Sequence, residues 1–187
     1  VFSASVKQFE QQLIFYKKNF QVISVDDLID MTKHNRPIND RYAVITFDDG
    51  YLDNFTNAYP LLKKHNLSAA FYIPTNYIET PQIPWWDEVA WLIQNTNEDK
   101  IKLSHWKNAI NLNSGTMAKK INEILKIIKL DTTLSMEEKL CQLRKVAKIQ
   151  MPPDITNQSI FMSWDQLREM SQNNMHIGSH TCSHNIL

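Results

Sequence analysis

RYAVITFDDG, residues 41–50, is a run of β-branched and aromatic residues that ends in two acids and a glycine. Such a run predicts a buried strand that delivers polar groups at its C-terminal end. Downstream, Leu52, Phe55, Tyr59 and Leu62 recur at helical spacing and predict a helix to about His65, and LSAAFYIP, residues 67–74, predicts the next strand. The order strand, helix, strand argues for parallel pairing and an α/β fold. Upstream, Val6, Phe9, Leu13, Tyr16 and Phe20 mark one face of a helix. FQVISVDDLIDM, residues 20–31, then reads as a short β-prone stretch leading into a second helix near Asp26.

Residues 80–150 read differently. WWDEVAWLIQ (85–94), MAKKINEILKIIKL (117–130) and MEEKLCQLRKVAKI (136–149) are helical patterns separated by polar loops around 96–115 and 131–135. They predict a helical insertion at about 85–149 within a single domain spanning 1–187. Ser135 with Glu138, and Ser163 with Gln166, have the spacing of capping boxes. MHIGSH, residues 175–180, predicts a last short strand, again ending in polar groups. Both concentrations of titratable side chains therefore lie just beyond strand C-termini, where α/β folds build their active face.

With 187 residues and 43% hydrophobic content the chain can bury a substantial core. Twenty basic and twenty acidic residues balance, so no overall field exists to hold nucleic acid or an anionic lipid surface, and a neutral substrate fits better. No apolar run long enough for a membrane span occurs. Cys141 and Cys182 lie far apart and form neither a disulfide framework nor a thiolate zinc knuckle. Because the chain opens at Val1 without a methionine and stops at Leu187 just after a dense polar cluster, a fragment cut at both ends is expected. Localisation and oligomeric state are not encoded in the segment.

On an extended segment Asp48 and Asp49 point to opposite sides unless the backbone turns, and Gly50 permits a turn. Two carboxylates at one strand tip suit a division of labour in which one binds a cation and the other takes a proton from water. Asp-Asp-Gly is also ordinary turn chemistry. In SHTCSH, residues 179–184, His180 and His184 are four apart, a spacing that puts both imidazoles on one side of a helical turn within reach of one metal. The alternative is a pair of histidines satisfied by hydrogen bonds. Cys182, between them, is expected to project away and pack. Two histidines and a carboxylate leave coordination positions open and describe hydrolytic zinc and non-haem iron centres alike. The extra acid favours hydrolysis, which needs a base beside the activated water. Trp85 and Trp86 have the faces to stack on sugar rings, but tryptophans flanking an amphipathic helix more often pack in a core.

With both clusters in view, the sequence resembles the polysaccharide deacetylase family, the NodB homology domain of carbohydrate esterase family 4. TFDDG, residues 46–50, looks like its first motif, which implies Asp48 as catalytic base and Asp49 as metal ligand. SHTCSH looks like its second, which implies His180 and His184 as the other ligands. The resemblance implies a distorted, incomplete (β/α) barrel, a divalent metal with Zn²⁺ as the expected ion, and removal of acetyl groups from an N-acetylated glycan. The rival expectation is a catalytically incomplete, deacetylase-like carbohydrate-binding protein. The family's later motifs, with an arginine that orients the base and a histidine acid, have no counterpart before Leu187, and a first barrel strand is missing before Val1. The segment alone is therefore expected to be inactive.

Overall fold

A computed structural model describes residues 4–37, 41–156 and 160–184. In chain order its first elements are α1 (Val6–Asn19), β1 (Gln21–Val22), α2 (Val25–Lys33), β2 (Tyr42–Ala43), β3 (Thr46–Asp48), α3 (Tyr59–His65) and β4 (Ala70–Ile73). Then come α4 (Trp85–Asn95), β5 (Lys100–Ile101), β6 (Ile110–Asn111), α5 (Met117–Leu130), α6 (Met136–Ala147), α7 (Pro153–Thr156), α8 (Trp164–Gln172) and β7 (His176–Ser179). The chain divides into two compact units, one of Pro81–Gln158 and the other of Phe2–Thr80 with Ser159–Asn185.

The second of these units is an α/β assembly. β3, β4 and β7 form a parallel sheet in that order, with Asp48 opposite Tyr72 and Ile73 opposite Ser179. β4 is central, and Ala70, Phe71 and Ile73 are buried on both of its faces, as parallel strands require. The Phe71 ring stacks on Phe47 with centroids 4.7 Å apart. The parallel pairing expected from the strand, helix, strand order is present.

The 41–50 run is not the single buried strand that its composition predicts. It pairs first with β1, where Ile23 N–H donates to the Ala43 carbonyl at 2.9 Å, and then with β4, where Ala70 N–H donates to Ile45 at 2.9 Å. The change of partner interrupts the strand at Val44, and only Gly50 of the run is fully buried. The helix expected to His65 also has a break in its regularity. Asn54–Ala58 is a π-helical segment, closed by the Tyr59 N–H bonding to the Asn54 carbonyl. Pro60 follows in the first turn of α3; it has no N–H with which to continue an ordinary helical ladder, and the wider turn accommodates it.

Helix starts follow the sequence closely. Ser5, Ser24, Ser135 and Ser163 each accept from the backbone three residues on, and Gln8, Asp27, Glu138 and Gln166 return the bond, completing capping boxes at α1, α2, α6 and α8.

In the other unit α4, α5 and α6 enclose Val89, Leu92, Ile93, Ile124, Ile128 and Leu143. The stretch read as a polar loop, 96–115, instead carries the antiparallel β5–β6 pair and buries Ile101, Leu103, Trp106 and Ile110 in the same core. Two-residue strands are too short to show a period. Trp85 packs against this core, in keeping with the packing alternative. The buried Lys139 ammonium bonds to the carbonyls of Ile128 and Asp131 at the end of α5. Arg144 makes a two-pronged pair with Glu88, its Nη2 lying 3.0 Å from Oε2. No helix among the described residues is long and apolar enough to cross a membrane.

Gly178 in β7 lies under the Tyr72 ring, and an added Cβ would come to 2.7 Å from Tyr72 Cδ1. Gly178→Ala is expected to destabilise the chain by about 1–3 kcal/mol, the usual result of overpacking. Urea unfolding measures this, and an unchanged midpoint would show that the ring can move aside.

Candidate metal centre

β3 ends at Asp48, which is exposed. The next two residues both adopt left-handed backbone, Asp49 with φ 70° and Gly50 with φ 67°. Glycine is needed at the second position for two reasons: its φ, and the Ile73 Cδ1 atom that a Cβ would meet at 3.0 Å. The turn separates the two acids. Asp49 Oδ1 comes to 3.3 Å from His184 Nε2 and 3.7 Å from His180 Nε2, while Asp48 stays at the strand tip and is not part of this convergence.

The histidines arrive from the end of β7. His180 N–H donates to the Ile73 carbonyl at 2.9 Å, one step beyond the β4–β7 ladder. The chain after it is stitched to the loop following β4, with Asn76 N–H bonded to Cys182 O at 2.9 Å and Thr75 N–H to Thr181 O at 3.3 Å. Thr181 and His184 have φ of 63° and 56°, and the Thr181 hydroxyl accepts from His184 N–H at 2.8 Å. The helical turn inferred from the four-residue spacing is therefore absent. A bend built on two left-handed residues brings the imidazoles together instead, with ring centroids 4.8 Å apart. The expected packing of Cys182 is also corrected: in this bend its side chain is exposed.

Asp49 Oδ1 and one nitrogen from each histidine all lie within 4.8 Å of one another. Asp49 Oδ1 is buried yet has no hydrogen-bond donor among the described residues. A buried acceptor without a donor is costly and rare, and a cation would satisfy it. Burial pushes the Asp49 carboxyl above its usual range; charge on His184 and His180 opposes this, and the Asp48 carboxylate adds to it. One carboxylate oxygen and two imidazole nitrogens fit a divalent metal with open positions.

Tyr77 was not singled out by sequence reasoning. It is buried, and burial together with the Asp49 charge raises its phenol above the usual range. Its only sequence signal is its place in the turn after a strand. His65 and His176 stay apart from the cluster, His65 pairing with Glu10 at 3.0 Å and His176 lying 3.6 Å from Asp26.

The family model described as polysaccharide deacetylase matches residues 35–187. The chain is 32% identical over 68 residues to YxkH of Bacillus subtilis, assigned as a polysaccharide deacetylase, a match covering 36% of this chain and 24% of that protein. It is 24% identical over 92 residues to the poly-beta-1,6-N-acetyl-D-glucosamine N-deacetylase of Escherichia coli strain K12, covering 47% of this chain and 14% of that one. Among solved structures, a de-N-acetylase from Aggregatibacter actinomycetemcomitans aligns over 97% of this chain and 47% of its own, with TM-score 0.48 and 20% identity. The chain thus spans a quarter or less of the length of these curated relatives. With most of its length matched by the family model, the chain belongs to the polysaccharide deacetylase family.

Proposed function

We propose that the chain is the metal-holding part of a hydrolase that removes N-acetyl groups from an amino-sugar polysaccharide. The observation that carries this reading is the meeting of Asp49 Oδ1 with the two histidine Nε2 atoms at the strand tip that also bears Asp48. Asp49, His180 and His184 would hold the metal, and Asp48 would be the base. The three-stranded parallel sheet is read as part of a distorted (β/α) barrel, in a single domain that carries the 85–149 segment as a helical insertion. A glycan bearing N-acetylglucosamine is the substrate class, supported by family membership and by the activity of the Escherichia coli relative.

A divalent ion, Zn²⁺ in this reading, would supply when bound a Lewis acid that polarises the acetyl carbonyl and lowers the pKa of water to about 7. The chain's residues do the rest. Asp48, exposed at the strand end, takes the proton of the attacking water. Attack at the carbonyl carbon is followed by cleavage of the C–N bond, giving acetate and an amine that takes up a proton. Asp49 serves the cation because its oxygen is buried and lacks a donor, whereas Asp48 is left free for proton transfer.

Asp48→Asn in the full-length protein is expected to keep the metal and lose turnover by a factor on the order of 10² to 10⁴, the contribution of a positioned base. Acetate release from an N-acetylglucosamine oligomer, with elemental analysis alongside, measures both. Loss of metal in Asp48→Asn but not in Asp49→Asn would reverse the two roles. Metal binding without turnover by the full-length parent would favour a glycan-binding protein.

The raised Asp49 carboxyl sets a second expectation, for stability. A group whose folded pKa is raised stabilises fully below its unfolded value, about 3.9 for aspartate, and loses that contribution as pH rises through the folded value. At neutral pH the Asp49 carboxylate therefore weighs against the metal-free fold. In chelator, Asp49→Asn should melt at a higher temperature than the parent, and added Zn²⁺ should raise the melting temperature of the parent alone. A lower melting temperature for Asp49→Asn in chelator would show that attraction to the histidines outweighs burial.

A further inference from the structure

Phe161 is buried just before α8, and two aromatic rings stack on it. The Tyr51 ring lies at 5.1 Å and 23° to it, the Tyr77 ring at 5.0 Å and 20°. These tyrosines belong to different arms of the proposed centre. Tyr51 follows directly on the Asp49–Gly50 turn. Tyr77 belongs to the turn whose Thr75 and Asn76 N–H groups hold the carbonyls of Thr181 and Cys182, between the two histidines.

The backbone supports the same arrangement. Phe161 forms an antiparallel bridge with Tyr51, with Met162 N–H bonded to Gly50 O at 3.0 Å and Leu52 N–H to Ile160 O at 2.8 Å. On the other side the Glu79 carboxylate, in the loop after β4, accepts from Trp164 N–H at 3.1 Å. Residues 160–164 are thus tied to the Asp49 arm at one end and to the arm that positions the histidines at the other.

We propose that Phe161 is a positioning residue for the metal, its ring stacked with both Tyr51 and Tyr77 and so joining the arm that carries Asp49 to the arm that holds His180 and His184. The inference rests on the metal centre proposed above. Ligand distances must be right to within about 0.2 Å for a site to hold its ion. Loss of the planar ring lets the two arms approach or slide, so the cost falls on metal affinity and geometry rather than on the fold alone.

The test is Zn²⁺ affinity by competition with a chelating dye, together with the visible spectrum of the Co²⁺-loaded chain, which reports ligand geometry without any turnover. Phe161→Leu is expected to weaken Zn²⁺ by on the order of tenfold, the lower range for residues that orient metal ligands, and to change the Co²⁺ bands. Leu13→Ala, which opens the core at α1, should lower the melting temperature without moving affinity or spectrum. If Phe161→Leu does not fold, Phe161→Met is the second variant and carries the same expectation. Parent-like affinity and spectrum in the folded Phe161 variant would overturn this inference alone. A parent chain that binds neither ion would overturn the metal centre and this inference with it.

Discussion

The centre depends on a backbone constraint, the consecutive left-handed conformations of Asp49 and Gly50. For an L-residue this region costs roughly 1–2 kcal/mol, and aspartate is among the side chains that tolerate it. Without it the two acids would alternate across the sheet and share no space with the histidines. The same turn redirects the chain so that Gly50 and Leu52 bond to the 160–162 segment. Thr181 and His184 are left-handed as well. Left-handed residues thus shape both turns that bring the three side chains together, and the parallel β3–β4–β7 ladder supplies the frame that holds them.

Much of this was legible in the sequence because it is written locally. The capping serines sit three residues ahead of their partners, and the Thr46–Gly50 and Ser179–His184 stretches carry their acids and imidazoles in plain view at strand ends. What was not legible depends on distant partners. The 41–50 run looks like one strand because its composition is uniform, yet it changes neighbours from β1 to β4 at Val44. His180 and His184 have helical spacing, but the carbonyls of Thr181 and Cys182 are held by the loop after β4, and a bend results. Spacing picked out two side chains that do meet, for a reason that does not operate. Phe161 carries no local signal and Tyr77 only its place after a strand, since a stacked aromatic is chemically the same as any other core residue until its neighbours are known.

In the helical unit Lys139 and Arg144 are satisfied by partners within the protein. Lys139 is buried, an expensive position for an ammonium, but it meets the last carbonyls of α5, where the helix dipole is negative and backbone acceptors lack partners. Arg144 spans Glu88 and Glu137, and its planar fork matches a carboxylate in a way that a lysine would not. These groups explain themselves by their partners, and none calls for a ligand.

The same criterion separates the acids of the chain. Asp27 and Glu138 are held below the ordinary carboxylate range by the serines they cap, Asp131 first by Thr133, and Glu10 first by Lys64. In each case a donor within the protein stabilises the charged form, so the acid contributes to structure. Asp49 is displaced the other way, because burial outweighs the pull of both histidines, and its Oδ1 has no donor among the described residues. A fold selected only for stability would replace it with an amide or a hydrophobic residue. Retaining a desolvated carboxylate beside two imidazoles makes physical sense where a cation completes the set, since the cation reverses each penalty at once: it pairs the charge, fills the empty acceptor and replaces repulsion from Asp48 with a shared attraction.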